Sequence, residues 1–286
     1  MVAASAWPQG QAADVRSRVV VALIGIPLVY VVTVLEFAGN LLFALTVGLV
    51  SLIALAEFYS IARRHRPYVP AGLLVAIVTP LLTWRAFEAG LLIGLMLTIP
   101  LTLIFLSLSV RRDDQLAAVA VTFFGVMWIV LGAALILNLR LKPNGLELVF
   151  LLLVGTWLTD TGAFFVGRAV GRRKLAPRLS PNKTVEGLVG GLVLGTFAVW
   201  FGHFLVPEAP GTGAPWLAGT DALMLGIIVS TATVVGDLFE SMVKRAIGVK
   251  DASHLLGGHG GMLDRIDSLL VSGPAMYAGA FIIGAF

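Results

Sequence analysis

Long apolar stretches run through almost the whole chain, and they restrict it to folds that are stable in a membrane. The 286 residues have a mean hydropathy of +0.95. Nine stretches have about the length that crosses a bilayer as a helix, at residues 19–36, 40–62, 69–87, 89–110, 115–138, 146–167, 185–206, 221–243 and 268–286. Hydrocarbon offers the backbone no hydrogen-bond partners, and the short alternating segments of a barrel are missing. The sequence therefore predicts an all-α fold, a polytopic membrane helix bundle of about nine transmembrane helices.

The distribution of Lys and Arg between the predicted spans predicts the orientation of the bundle across the membrane. If the N-terminus is cytoplasmic, all but three of the 20 Lys and Arg residues fall on the cytoplasmic side. The three on the opposite side are Arg85, Arg140 and Lys142. Basic residues are enriched in the cytoplasmic loops of membrane proteins. The count therefore predicts a cytoplasmic N-terminus, and it supports the number of spans because one span more or fewer in the middle would remove the asymmetry.

Composition excludes several classes of site. The chain has no cysteine, which excludes disulfides, a thiolate zinc site and a cysteine nucleophile. The net charge is +4, but long basic runs of the kind that bind nucleic acid are missing, so no nucleic-acid partner is expected. We divide the chain into N-terminal transmembrane helices at residues 1–150, about five spans, and a C-terminal catalytic transmembrane region with cytoplasmic loops at residues 151–286.

A polar face marks the predicted helix at residues 221–243 and its continuation. Asp237, Glu240, Ser241 and Lys244 follow i, i+3, i+4, i+7 spacing, which places them on one side of a helix. Such a face points into the bundle rather than toward lipid. Two interpretations stay open: an ion pair of Asp237 or Glu240 with Lys244 that only fixes helix packing, or part of a reaction site.

Asp160 lies in another predicted span, at the same depth as Asp237. Each aspartate stands eight residues before an arginine of the cytoplasmic side, Arg168 or Arg245. At about 1.5 Å per residue, both carboxylates lie roughly 12 Å below this basic rim. We expect them to face one another in a water-filled recess. Glu57 is expected to pair with a nearby arginine, Arg63, or to line the same recess.

A glycine-rich loop follows the polar helix. Residues 257–261 read Gly-Gly-His-Gly-Gly, which is too rich in glycine for a helix. The backbone N–H groups of such a loop can surround an anion, and Lys250 and Arg265 stand near enough to neutralise phosphate charge. His259 has two open roles, as a phosphate donor or proton carrier, or in a structural hydrogen bond of a tight loop.

Two carboxylates, Asp264 and Asp267, stand three residues apart just after this loop. Mg²⁺ is bound in proteins by one or two carboxylates together with substrate phosphates, so this pair suits Mg²⁺. The alternative is that one of them caps the last helix or pairs with Arg265. A metal beside a cationic loop implies phosphoryl or nucleotidyl chemistry.

The segment Ser-Pro-Asn-Lys-Thr at residues 180–184 is a second candidate anion site. It immediately precedes the predicted span at 185–206, so its hydroxyls and the free N–H groups of a helix N-terminus would meet a phosphate beside Lys183. The spacing of a P-loop is missing. The alternative is a capped helix after ordinary cytoplasmic basic residues, which explains Arg172, Arg173 and Lys174 well.

Two blocks of residues together have a recognisable pattern. The later block is Ser241, Lys244, Arg245, Lys250, Asp251, Gly258, His259, Gly260, Gly261, Asp264, Arg265 and Asp267. The earlier block is Asp160, Ala163, Gly167, Arg168, Ser180, Pro181, Lys183, Thr184, Glu186 and Gly187. In order and spacing both resemble the signatures of the bacterial phosphatidate cytidylyltransferase family, also called CDP-diacylglycerol synthase. The blocks cover about residues 155–268, and residues 1–150 are similar only in being apolar spans.

The resemblance implies a reaction in which the phosphate of phosphatidic acid attacks the α-phosphorus of CTP. The products would be CDP-diacylglycerol and pyrophosphate, and Mg²⁺ would be required, with a second cation as an option. A recess that opens to the cytoplasmic face of the bacterial inner membrane would admit both the lipid and the soluble nucleotide. The implied partners are CTP, phosphatidic acid and membrane lipids, with a homodimer as the assembly to test.

The resemblance and the residue patterns together predict a role for each candidate site residue. The predicted metal ligands are Asp237, which lies outside both blocks, and Asp264, with Asp160 and Asp267 as supports or as a second cation site. The implied catalytic residues are Lys244, Arg245, Lys250, Asp251, His259, Arg265 and Asp267. The implied substrate-binding residues are Asp160, Ser180, Pro181, Asn182, Lys183, Thr184, Glu186, Ser241, Gly258, Gly260 and Gly261.

Two other functions remain compatible with the sequence. A CTP-dependent lipid or polyprenol kinase would share the membrane bundle and the anion sites but would release CDP. A membrane transporter would show flux without metal-dependent turnover, and polar residues spread through both halves of the chain, which would be expected for it, are missing here.

Overall fold

The computed structural model describes residues 25, 27–108, 114–205, 216–253 and 260–286. The described part is almost entirely helical, which confirms the predicted all-α class. In chain order the helices are α1 (Leu41–Ile61), α2 (Val69–Met96), α3 (Thr98–Ser107), α4 (Gln115–Gly125), α5 (Leu131–Arg140), α6 (Gly145–Val170), α7 (Val185–Gly202), α8 (Gly219–Ile247), α9 (Leu263–Ile266) and α10 (Leu269–Ile282). A π-helical turn, Val126–Val130, joins α4 to α5, and short 3₁₀ helices lie at Arg63–His65 and His203–Leu205.

Within the described residues, six helical segments are long and apolar enough to cross a membrane. They are Leu41–Ile61, Val69–Ser107, Gln115–Arg140, Gly145–Val170, Val185–Leu205 and Gly219–Ile247. The structure thus supports a polytopic membrane protein and gives a smaller count than the nine expected from sequence. The difference has three sources: the described helical residues of the first predicted span are only 25 and 27–34, α10 has only 14 residues, and one segment combines two of the predicted spans.

That combined segment, Val69–Ser107, folds back on itself within α2. Ala86 and Phe87 have non-helical backbone angles, with φ values of −139° and 50°. A Cβ atom placed on Gly94 would lie 2.8 Å from the Cα atom of Thr79, so the chain on either side of the turn packs backbone against backbone. Small residues permit such close approach between helices. The segment is therefore a helical hairpin, with its turn where the sequence predicts the boundary between the spans at 69–87 and 89–110.

The two larger of three hydrophobic core clusters each combine residues from both halves of the chain. Phe43 and Val229 belong to the first cluster. Leu55 and Leu263 belong to the second. Packing is therefore continuous across residue 150, and the division into an N-terminal and a catalytic region stays a prediction about function.

Packing on two sides fixes α8, which carries much of the candidate site. Phe239 lies edge-on to Trp128 of the π-helical turn, with ring centroids 5.1 Å apart. On the other side, a Cβ atom on Gly236 would be 3.0 Å from the carbonyl oxygen of Asp267 and from the Cα atom of Ser268. This close approach brings α8 against the junction of α9 and α10, so the carboxylates of these elements lie near one another.

A small antiparallel β-hairpin, which the sequence did not predict, lies between α6 and α7. Strand β1 (Lys174–Ala176) pairs with β2 (Ser180–Thr184), with Lys174 opposite Thr184 and Ala176 opposite Ser180. The candidate anion site at residues 180–184 therefore lies on a strand and not in a loop before the helix. Thr184 is also the N-cap of α7, because its Oγ1 accepts a hydrogen bond from Gly187 N at 3.1 Å. An N-cap residue has extended backbone, so a strand can continue directly into a helix.

Candidate active site

A cavity of about 510 Å³ lies between α6, α7, α8 and the β-hairpin. Asp160 and Asp237 both line it, so the two aspartates share one recess, as the depth argument predicted. Its other polar lining residues are Arg168, Asn182, Lys183 and Thr184. Its apolar lining residues include Ala163, Phe164, Leu175, Leu188 and Val234. The cavity therefore has a charged side and an apolar side, a combination that suits an amphiphilic ligand.

Three carboxylates meet beside this cavity, two from the C-terminal part of α8 and one from the chain just after α9. One oxygen each of Asp237, Glu240 and Asp267 lies within 4.8 Å of the others. Glu240 is 2% exposed and Asp267 is 9% exposed, so water screens their charges poorly. Like charges at this distance repel, and a bound divalent cation removes the repulsion. The all-oxygen donor set fits Mg²⁺.

Asp267 contributes to this group from the junction between α9 and α10. Its Oδ1 accepts a hydrogen bond from Ser268 N at 2.7 Å. Burial and the charge of Asp237 raise the pKa of Asp267 to about 6. The position of Asp267 thus favours occupation by a cation or a proton, whereas the sequence predicted it as a catalytic residue and as a support or second cation site.

Two lysines neutralise the carboxylates. Lys183 Nζ lies 2.5 Å from Asp237 Oδ2. Lys244 Nζ lies 2.7 Å from Glu240 Oε2 and 2.7 Å from Asp264 Oδ1. The structure therefore contains the ion pair between Glu240 and Lys244 that the sequence left as one interpretation. Because Lys244 also contacts Asp264, this ion pair links α8 to α9 and does more than stabilise one helix.

Asp264 fixes the backbone just before α9. Its Oδ2 accepts hydrogen bonds from Gly261 N at 2.7 Å and from Ala252 N at 3.1 Å. Burial disfavours the charged form of Asp264, but the hydrogen bonds from Gly261 N and Lys244 Nζ favour it, and the pKa of Asp264 lies below its usual value. These backbone contacts are close to the alternative in which one of the two aspartates caps a helix. Asp264 lies next to the group of three carboxylates and is not a member of it.

Glu57 of α1 binds the residues on both sides of the glycine-rich segment. Its Oε1 accepts from Ser253 Oγ at 2.5 Å and from Met262 N at 3.0 Å, and its Oε2 accepts from Leu263 N at 2.8 Å. Within the described residues Glu57 forms no ion pair with Arg63 and does not line the cavity, so neither expectation for it is met. A lone acid in an apolar span is the sequence signal for such a residue, because it requires buried partners.

Two predicted site residues attach the β-hairpin to the helices. Arg245 Nε donates to the carbonyl oxygen of Leu179, in the turn between the strands, at 3.4 Å. Glu186 accepts hydrogen bonds from the backbone N–H groups of Arg172 at 3.0 Å and Arg173 at 3.2 Å. Neither Arg245 nor Glu186 lines the cavity, so both act on the position of the hairpin that carries Lys183.

The remaining predicted residues lie around the site. Ser180 and Pro181 precede the cavity residue Asn182 on β2, and Ser241 lies one helical turn after Asp237 on α8, but none of the three lines the cavity. Lys250, Asp251 and Arg265 are exposed. Gly260 has a φ of 75° and lies against Asp264, and Gly261 lies against Glu57. Gly258 and His259 lie outside the described residues.

Comparison with known proteins gives the family. The chain matches the cytidylyltransferase family over residues 16–283. The phosphatidate cytidylyltransferase of Bacillus subtilis is 32% identical over 279 residues, which cover 96% of this chain and 99% of the relative. The proteins of the same name from Mycobacterium bovis (32% over 286 residues; 92% and 87% covered) and Haemophilus influenzae (33% over 267 residues; 81% and 87% covered) are also similar. This chain belongs to the cytidylyltransferase family.

Proposed function

We propose that this chain is an integral membrane enzyme that transfers CMP from CTP to phosphatidic acid, forming CDP-diacylglycerol and pyrophosphate. The observation that carries the proposal is the group of Asp237, Glu240 and Asp267 beside two lysines, at a cavity with a charged and an apolar side. Such a cavity suits a lipid whose headgroup is a phosphate. The names of the relatives, which are phosphatidate cytidylyltransferases, support the same substrates.

In the proposed reaction, an oxygen of the lipid phosphate attacks the α-phosphorus of CTP. A new P–O bond forms, the bond from the α-phosphorus to the bridging oxygen breaks, and pyrophosphate leaves with that electron pair. The attacking phosphate is already anionic, so no general base is required. Lys183 and Lys244 stabilise the phosphate charge electrostatically. Mg²⁺, when bound, neutralises charge on the nucleotide phosphates.

Asp237 is the first proposed cation ligand, and its place in the group of three carboxylates supports the assignment. For the second ligand, the family resemblance implies Asp264, whereas the geometry favours Asp267 together with Glu240. Asp264 and Asp267 belong to the same turn of chain, so the two assignments place the cation in nearly the same position. Asp160, on another wall of the cavity, is the proposed support or ligand of a second cation.

We propose nine membrane crossings with a cytoplasmic N-terminus in the bacterial inner membrane. The helical hairpin in Val69–Ser107 supports two crossings there, and the helix at 27–34 and α10 would belong to the first and the last. The β-hairpin would then face the cytoplasm and Pro143 the opposite side. The chain has no cysteine, so single cysteines introduced at Ala176 and at Pro143 can be labelled separately from each side. Labelling of both from the same side would refute this topology.

In the proposed division of labour, residues 151–286 supply the side chains of the cavity and residues 1–150 supply the membrane frame. Every described residue that lines the cavity follows residue 150, which supports this division. A homodimer is the proposed assembly, and its mass in detergent, measured by light scattering, checks it.

The decisive experiment incubates the purified protein with α-labelled CTP and phosphatidic acid, with and without Mg²⁺. The expected result is labelled CDP-diacylglycerol and an equal amount of pyrophosphate, both dependent on Mg²⁺. Release of CDP with a phosphorylated lipid would instead identify a CTP-dependent kinase. Flux of phosphatidic acid across liposomes, without nucleotide turnover, would identify a transporter.

A further inference from the structure

We propose that Glu57 is a positioning residue, which sets the location of the carboxylates on α9 by binding the backbone in front of them. Glu57 lies near the end of α1 and belongs to neither sequence block of the family resemblance. Its side chain is buried, with 7% exposed. A buried carboxylate in an apolar helix is costly unless donors satisfy it, so its presence calls for a specific set of partners.

The partners of Glu57 are the backbone groups from which α9 begins. Met262 N donates to Oε1 at 3.0 Å and Leu263 N donates to Oε2 at 2.8 Å. The first N–H groups of a helix have no partner within the helix, so an acceptor from elsewhere has to satisfy them. Glu57 therefore caps the N-terminus of α9 from a different helix. It precedes Met262 by 205 residues in the sequence.

A second carboxylate completes the arrangement on the same backbone. Gly261 N donates to Asp264 Oδ2 at 2.7 Å, so three consecutive N–H groups, at residues 261 to 263, bind carboxylates. The chain before the glycine-rich loop is held in the same way, because Ser253 Oγ donates to Glu57 and Ala252 N donates to Asp264. The two carboxylates thus hold residues 252–253 beside residues 261–263.

The geometry leaves little room for Glu57 to move. A Cβ atom on Gly261 would lie 2.5 Å from one oxygen of the Glu57 carboxylate and 2.7 Å from the other. Leu263 is fully buried in the core cluster that also contains Phe58, the neighbour of Glu57. A change at Glu57 therefore shifts the start of α9, and with it Asp264 and Asp267, while the packing of Leu263 keeps α9 in the bundle.

The test compares Glu57→Gln and Glu57→Ala with the matched acid-to-amide variant Glu88→Gln. Glu88 contacts Lys142 and Tyr277, and among the described residues it shares no hydrogen bond with 252–253 or 260–263. Hydrogen–deuterium exchange of the peptide that contains residues 260–263 is measured for each purified protein. Because a hydrogen bond to a charged group is lost, we expect exchange in Glu57→Gln to be about tenfold faster or more, with a larger effect in Glu57→Ala and no change in Glu88→Gln.

Kinetics supply the second readout, and this part rests on the proposed function. In Glu57→Gln, kcat should fall by about tenfold to a hundredfold because misplaced groups lose rate steeply, whereas KM for CTP should change little. In Glu57→Ala, kcat should fall further. Glu88→Gln should keep the wild-type kcat per folded molecule.

Unchanged exchange in both Glu57 variants overturns the positioning role, whether or not the protein turns over CTP. Faster exchange with an unchanged kcat assigns Glu57 to stability alone and also overturns it. A wild-type protein without turnover contradicts the proposed function, while the exchange result still decides whether Glu57 holds the backbone.

Discussion

Lys183 and Asp237 form an ion pair at the cavity, with 2.5 Å between Nζ and Oδ2. Lys183 belongs to β2 and Asp237 to α8, so the pair joins the β-hairpin to the helix bundle. Their side chains are 24% and 34% exposed, so both can be reached from the cavity. An ammonium group and Mg²⁺ both neutralise a carboxylate, and a cation at Asp237 would release Lys183 to contact a phosphate.

Replacing Lys183 with alanine should lower kcat/KM for CTP by about a hundredfold, because an electrostatic contact to the reacting phosphates is lost. The protein should remain folded, since Arg245 and Glu186 still attach the hairpin. Steady-state rates with CTP and phosphatidic acid measure the effect. Lys174→Ala is the matched control, because Lys174 is an exposed lysine of the same hairpin that does not line the cavity. Equal losses in the two variants would argue against a specific role of Lys183.

Replacing Asp237 or Asp267 with asparagine should raise the Mg²⁺ concentration that gives half-maximal activity by tenfold or more. The reason is that each change removes one anionic oxygen from the group of carboxylates that forms the proposed cation site. Pyrophosphate release, measured over a range of Mg²⁺ concentrations, gives this half-maximal concentration for each variant. Treatment with EDTA should abolish activity in all variants, and added Mg²⁺ should restore it. A normal Mg²⁺ titration in Asp237→Asn would refute the proposed cation site.

Asp264→Asn should insert into the membrane normally and should lose about a hundredfold or more in Mg²⁺-dependent pyrophosphate release. This loss could come from removal of a metal ligand or from removal of the contacts that Asp264 makes with its neighbours. A Mg²⁺ titration distinguishes the two causes. A raised half-saturating concentration would support Asp264 as a direct ligand, as the family resemblance implies. A lower kcat at an unchanged half-saturating concentration would assign Asp264 to its contacts with Gly261, Ala252 and Lys244.

Much of the site could be predicted from local patterns. Helical spacing placed Asp237, Glu240 and Lys244 on one face, and the structure contains the contact between Glu240 and Lys244. Distance from the basic rim placed Asp160 and Asp237 at one depth, and they line one cavity. Both inferences hold because a helix has a fixed rise and a fixed period, so sequence separation converts directly into position.

Contacts between distant segments could not be predicted in the same way. Glu57 binds Leu263, which lies 206 residues later in the sequence. No helical or strand periodicity connects positions so far apart. The β-hairpin depends on pairing between Lys174 and Thr184 across a turn, and its short polar strands have no hydrophobic alternation to mark them. The choice between Asp264 and Asp267 depends on how α9 leaves the glycine-rich loop, which is a tertiary feature.

Replacing Gly261 with alanine should disturb the site through steric overlap alone, without any change of charge. The new Cβ atom would lie 2.5 Å from a carboxylate oxygen of Glu57, so either Glu57 or the start of α9 has to move. Overpacking of this kind costs about 1–3 kcal/mol, and we expect a lower unfolding temperature in detergent together with a reduced kcat. The matched control is Gly48→Ala on α1, where the nearest atoms, of Pro80, would be 3.8 Å away in ordinary contact. Gly48→Ala should keep wild-type stability and activity, and if Gly261→Ala matches it in both, the contact between Gly261 and Glu57 has no part in the site.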